Sequence, residues 1–157
     1  MKLFSRLLIL FAVVAFMGCK SEMKIDEAYA GDGDLKWYTN LEDAKKVAKQ
    51  ENKDILINFT GSDWCIWCKK LDAEVFSKKE FSDYAKASLI LVKLDFPKRI
   101  PQTDEVKNYN RNLMNTYGVQ GFPTIVLLDS KGTHVTDTGY QEGGAVAYVS
   151  HLKQLLK

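Results

Sequence analysis

The chain has 157 residues, 46% of them apolar, with 22 Lys and Arg against 20 Asp and Glu. That is enough apolar material for one ordinary domain with a real core, plus something small. The formal charge is only +2 and no Lys/Arg block occurs, so the charge selects no nucleic-acid partner.

Residues 1–18 read as a signal peptide of the lipoprotein type. Lys2 and Arg6 form a positive n-region, and residues 7–17 are an unbroken apolar run. Crossing a bilayer as a helix takes roughly 20 apolar residues, so this run reads as an export signal rather than a spanning anchor. Gly18-Cys19 resembles the end of a bacterial lipoprotein signal, whose cysteine is lipidated after cleavage. Phe16 and Met17 are bulkier than the residues usual there, and an ordinary secretory signal containing a cysteine is the alternative. Without Lys2 and Arg6 the basic residues would balance the 20 acidic ones, so no surface-charge function follows from the apparent basicity. Export also matters for sulfur, because disulfides persist outside the cytoplasm. Of the three cysteines, lipidation of Cys19 would leave Cys65 and Cys68 only each other.

Residues 19–34 are polar and rich in Gly and Asp, which reads as a flexible tether between membrane and domain. The folded domain is expected over 35–157. Residues 35–38 are a short strand candidate. Thr39-Asn40-Leu41-Glu42 fits a capping box, and Leu41, Ala44, Val47 and Ala48 fall on one helical stripe that should stop near Asn52. Residues 54–59 are apolar on both faces except at Asn58, as in a buried central strand. A helix is expected from Cys65 to about Val75, followed by a short helical segment marked by Phe76, Phe81 and Tyr84. A second buried strand covers 89–96, and Pro97 and Pro101 enclose a loop. Thr103 can cap a helix whose shared face carries Val106, Tyr109, Leu113, Met114 and Tyr117. Residues 124–128 form a strand, Asp129-Ser130-Lys131-Gly132 a hairpin turn, and 133–138 the return strand. A last helix lines up Val149, Leu152 and Leu156. Helices alternating with strands before a closing hairpin predict an α/β fold, a central mixed sheet flanked by helices on both faces.

The chemistry concentrates in Asp63-Trp64-Cys65-Ile66-Trp67-Cys68-Lys69-Lys70. Two cysteines three apart at a helix start put one sulfur at the N-terminal end, where unpaired amides favour a thiolate, and turn the other inward. A thiolate attacks a disulfide and a second thiol then releases the mixed disulfide. Cys65 is thus the expected nucleophile and Cys68 the resolving thiol. Two alternatives stay open. A structural staple over so short a loop gives only about 2 kcal/mol on the chain-entropy formula. A zinc site needs further ligands, and neither a second Cys pair nor well-placed His is present, since His134 and His151 fall on the hairpin and last helix. No metal or cofactor is therefore expected.

The strand Ile55-Leu56-Ile57-Asn58-Phe59, the Trp64-Cys65-Ile66-Trp67-Cys68-Lys69 motif and the distant Gly121-Phe122-Pro123-Thr124 together resemble thioredoxin over 35–157. The resemblance implies a thioredoxin fold, a redox-active Cys65/Cys68 pair, and Pro123 as a cis-proline facing it. It also implies that the Phe122 backbone pairs with an extended substrate strand. On residue type alone, Pro123 could equally be a trans proline opening a strand. Trp64 would pack beside the disulfide or simply join the core, and Lys69 would lower the Cys65 pKa or stay solvated. Trp67 would place a large aromatic ring at the substrate. Two departures stand out: Ile66-Trp67 replaces the usual Gly-Pro, and Asn58 stands where the family has a buried Asp that deprotonates the resolving thiol. An amide cannot take that proton, so either Asp63, water or another carboxylate does so, or resolution is slow here. The implied function is thiol–disulfide exchange with extracytoplasmic proteins. Ile66-Trp67 tunes the potential, so the family average assigns no direction. Reductase or isomerase is favoured over oxidase because a lipid-anchored module can receive electrons at the membrane. A membrane redox partner would supply electrons, and lipid on Cys19 would hold the protein at the membrane. A binding module with a permanently closed Cys65–Cys68 disulfide is the competing class.

Overall fold

The computed structural model describes residues 29–30 and 35–157. The expected signal over 1–18, and Cys19 with most of the expected tether, lie outside the described residues. Two residues of that tether are nevertheless paired: β1 (Tyr29–Ala30) runs antiparallel to β2 (Lys36–Tyr38), so strand pairing begins before Leu35.

Next come α1 (Leu41–Glu51), β3 (Asp54–Thr60), α2 (Ile66–Leu71), α3 (Lys79–Ser88), β4 (Leu89–Asp95) and α4 (Asp104–Thr116). The chain closes with β5 (Thr124–Leu128), β6 (His134–Thr138) and α5 (Gly144–Leu155). Between α2 and α3 the chain widens into a π-helical turn, Asp72–Phe76, where a continuous α-helix was expected. The sheet order is β1-β2-β4-β3-β5-β6. β2, β4 and β3 are mutually parallel, and β5 and β6 are antiparallel to their neighbours.

Strand periodicity sorts the core into two layers. Ile55, Ile57 and Phe59 of β3, Ile90, Val92 and Leu94 of β4, and Val126 and Leu128 of β5 share one layer with Leu41, Ala44 and Ala48 of α1. Tyr109, Leu113 and Met114 of α4 pack on the same layer, whereas Val106, expected on that face, is exposed. Leu56, Leu89, Leu91, Ile125 and Leu127 point the other way. They meet Leu71, Val75, Phe76, Phe81, Tyr148 and Leu152 from α2, the π turn, α3 and α5. Asn58 and Lys93 are register partners, and both follow the second parity, so they belong to the face that α2 covers.

Local signals explain the element ends. The cap of α1 is Asn40, not Thr39: the helix begins one residue later than the capping box implies. Asn40 Oδ1 accepts from the amides of Glu42 and Asp43 at 2.9 and 3.1 Å. Asn serves as well as Thr in that position. Asn52 ends the helix in the left-handed region at φ 52°. Thr103 Oγ1 caps α4 by accepting from Val106 N at 3.3 Å. Asp129 Oδ1 ties the β5–β6 turn by accepting from the amides of Lys131 and Thr133.

Candidate active site

The site lies where β3 runs out and α2 begins. Gly61 O accepts from the amides of Trp64 and Cys65, at 3.2 and 2.8 Å, and this turn presents Cys65 as the N-cap of α2. Cys65 and Cys68 are joined in a disulfide with their Cα atoms 5.2 Å apart. Cys65 Sγ accepts from Cys68 N at 3.2 Å. The first-turn amide therefore already points at the sulfur expected to carry negative charge, which is how a helix start stabilises a thiolate. Exposure does not separate the two cysteines as expected, since each is 5% exposed. Position separates them: Cys65 stands at the cap, and Cys68 lies inside the first turn, over the sheet.

Around the pair the surface is aromatic and apolar. Ile66 is 77% exposed and Trp67 53%. Trp64 is a rim residue rather than core: its Nε1 donates to Phe96 O at 2.8 Å and its ring meets Phe122 edge-on at 5.9 Å. Lys98 Nζ sits 3.9 Å from the Trp64 ring centroid. A Cβ on Gly61 would lie 2.6 Å from the Trp64 indole, so a larger residue there would displace that ring. The Phe122–Pro123 peptide is cis, and Pro123 O lies 3.2 Å from where a Cβ on Gly139 would stand. Among the described residues, no three His, Cys, Asp or Glu side chains are placed to hold a metal ion.

Asp63 is committed to holding a loop. Its carboxylate accepts from the amides of Lys98 and Arg99, its side chain is 9% exposed, and its carbonyl accepts from Lys69 Nζ at 3.0 Å. The Lys98 amide first, then the Arg99 amide, the Arg99 charge and the Ile100 amide, hold the carboxyl below the usual range against its partial burial. A carboxylate held this way is a weak proton acceptor, and the contacts that Asp63 makes here are those of a loop anchor. A depressed folded pKa contributes stability above the unfolded value of about 3.9 that is lost as pH falls through the folded one. Asp63→Asn is therefore expected to lower the urea midpoint at pH 7, with the gap to wild type closing below about pH 4. A gap that persists undiminished in acid would contradict an anchoring charge.

Asn58 is buried, and its Oδ1 has no hydrogen-bond partner among the described residues. It lines a cavity of about 50 Å³ with Thr60, Ser62, Cys68, Lys69, Asp72 and Lys93. A polar space of that size holds a water, for which about 10–15 Å³ suffices. The carboxylate on this cavity is Asp72, the residue after α2, which sequence reading passed over as part of a helix. The one signal for it was its position, one turn beyond Cys68 on the same side.

Comparison with known proteins agrees with this geometry. The family described as a thioredoxin-like domain matches residues 41–151. The chain is 39% identical over 123 residues to the disulfide bond reductase DsbH of Chlamydia pneumoniae, covering 78% of this chain and 74% of that one. It is 27% identical over 120 residues to the thiol:disulfide interchange protein DsbD of Colwellia psychrerythraea, 74% of this chain but only 18% of that longer protein. Among solved structures, a DsbH oxidoreductase superposes with a TM-score of 0.73 at 35% identity, over 84% of this chain and 92% of that one. A sheet of this order, a two-cysteine disulfide capping the helix after its central strand, and a match across most of the domain converge: the chain belongs to the thioredoxin-like family, and it is a thiol–disulfide oxidoreductase.

Proposed function

We propose that the protein is an exported reductant of disulfides in other extracytoplasmic proteins, with isomerisation of wrong pairs as the same chemistry run twice. In the reduced protein the Cys65 thiolate attacks a substrate disulfide, forming a mixed disulfide and releasing one substrate thiolate. Cys68 then gives up its proton and attacks Cys65 Sγ, closing the Cys65–Cys68 disulfide and releasing the second substrate thiolate. Two electrons have passed to the substrate. The observation that carries this reading is Cys65 Sγ at the helix cap with the Cys68 amide donating to it. Asp72 receives the Cys68 proton through water in the shared cavity, taking the place that Asn58 cannot fill.

The direction is supported by the Chlamydia pneumoniae relative, which is named a disulfide bond reductase. Export is supported by the charged and apolar pattern of residues 1–18. Among the described residues no helix is long and apolar enough to cross a membrane. In this reading the anchor is lipid on Cys19, supported by the Gly18-Cys19 pair after the apolar run. A membrane redox partner returns the pair to its thiols. Trp64, Trp67, Phe122 and Pro123 form the substrate rim, the Phe122 backbone pairing with an extended substrate segment.

The test is the midpoint potential of Cys65/Cys68 together with insulin reduction. A reductant is expected near the thioredoxin value of about −270 mV with turnover. A potential near about −120 mV would reverse the direction, and one below about −300 mV without turnover would make the disulfide a structural staple.

A further inference from the structure

We infer that Tyr140 is a positioning residue that holds the Trp67 indole as a preformed shelf for the polypeptide flanking a substrate disulfide. This rests on the reductant reading above and deepens it to specificity. Trp67 stands between the two cysteines, half exposed on a helix surface. A lone tryptophan there would sample several rotamers, and ordering it on binding would cost affinity.

It is not alone. The Tyr140 ring lies 5.4 Å from the Trp67 ring at 43°. Lys70 Nζ sits 5.2 Å from the Trp67 centroid and 4.9 Å from that of Tyr140. Tyr140 is itself fixed at its far end, where its hydroxyl donates to Glu74 Oε2 at 2.6 Å, and Glu74 Oε1 is 3.9 Å from Lys70 Nζ. The segment carrying Tyr140 is pinned from beneath: Tyr148, fully buried in α5, donates its hydroxyl to Gly139 O at 3.0 Å. Gly139 in turn borders Pro123 O. One side of Trp67 is thus backed by Tyr140 and Lys70, and the same short segment touches the Pro123 turn. Large rigid aromatic surface beside the reacting sulfur rewards a substrate that has chain on either side of its cysteine. A small disulfide has nothing to lay on it.

The experiment uses the reduced full-length protein and two probes, a linear peptide pair joined by one disulfide and hydroxyethyl disulfide. Rapid-quench oxidation at rising peptide concentration separates half-saturation from limiting rate. Tyr140→Ala is expected to raise the half-saturating peptide concentration about fivefold, the scale of one aromatic pair. The limiting rate and the hydroxyethyl disulfide rate should stay within about twofold. Tyr140→Phe, which keeps the ring and loses only the hydroxyl with its contacts to Glu74 and Lys70, is expected to recover most of the loss. In a Trp67→Ala background, Tyr140→Ala should add nothing, since it acts through that ring. Unchanged half-saturation, an additive double variant, or equal losses on both probes would overturn the inference. A wild type that reduces neither probe would overturn the reductant reading itself, and this inference with it.

Discussion

Cys65→Ser is expected to bring disulfide reduction down to the uncatalysed background, a loss of about three orders of magnitude or more. A serine hydroxyl at the cap of α2 stays protonated at neutral pH, so the Cys68 amide that favours a thiolate has no anion to act on. Cys68→Ser should differ in kind rather than degree. Cys65 can still attack, but the closing step has no second thiol, and the protein should accumulate bound to its substrate. Non-reducing electrophoresis and intact mass give the readout: a substrate adduct with Cys68→Ser that thiol reductant removes, and none with Cys65→Ser. The opposite pattern would exchange the two roles, which matters because both cysteines are equally buried in the disulfide form.

The second large effect is on stability. Phe59 is fully buried in β3, stacked on Phe96 at 6.4 Å and edge-on to Tyr117 at 6.3 Å. Phe59→Ala removes a ring from the layer between the sheet and helices α1 and α4, and is expected to cost about 3–5 kcal/mol. The loss should reach the site as well. Phe96 continues to Phe122 at 5.0 Å, and Phe122 to Trp64, so the ring row that starts at Phe59 ends at the active-site rim. Urea denaturation should show the midpoint falling with an unchanged slope. Val106→Ala on the exposed start of α4 is the control and should stay within about 0.5 kcal/mol. A Phe59→Ala cost below about 1.5 kcal/mol would mean that the neighbouring rings close the gap.

The two effects separate what each level of description contributes. Strands β3, β4 and β5 were legible because their apolar runs are continuous, as burial on both faces requires. The alternation within them puts Asn58 on the face of Leu56, and the fold shows that α2 covers that face. Cys65 and Cys68 were legible because three-residue spacing at a helix start is a local geometric fact. Helix α1 was also legible, and its cap moved by one residue because Thr39 and Asn40 are both competent and only the chain path chooses between them. The π turn at Asp72–Phe76 left no periodicity that would distinguish it from the α-helix expected there.

The sequence by itself determined the layers and the redox pair, since each rests on residue type and short-range period, and the resemblance to thioredoxin marked the departure at Asn58. Only the tertiary structure decided what surrounds the pair. Asp63 finds Lys98 and Arg99 at separations of 35 and 36 residues, and Tyr140 finds Glu74 at 66. Such contacts are set by where the sheet brings distant loops together, and no local pattern encodes them. For that reason the loop contacts of Asp63 and the place of Asp72 on the cavity beneath Cys68 appear only in the fold.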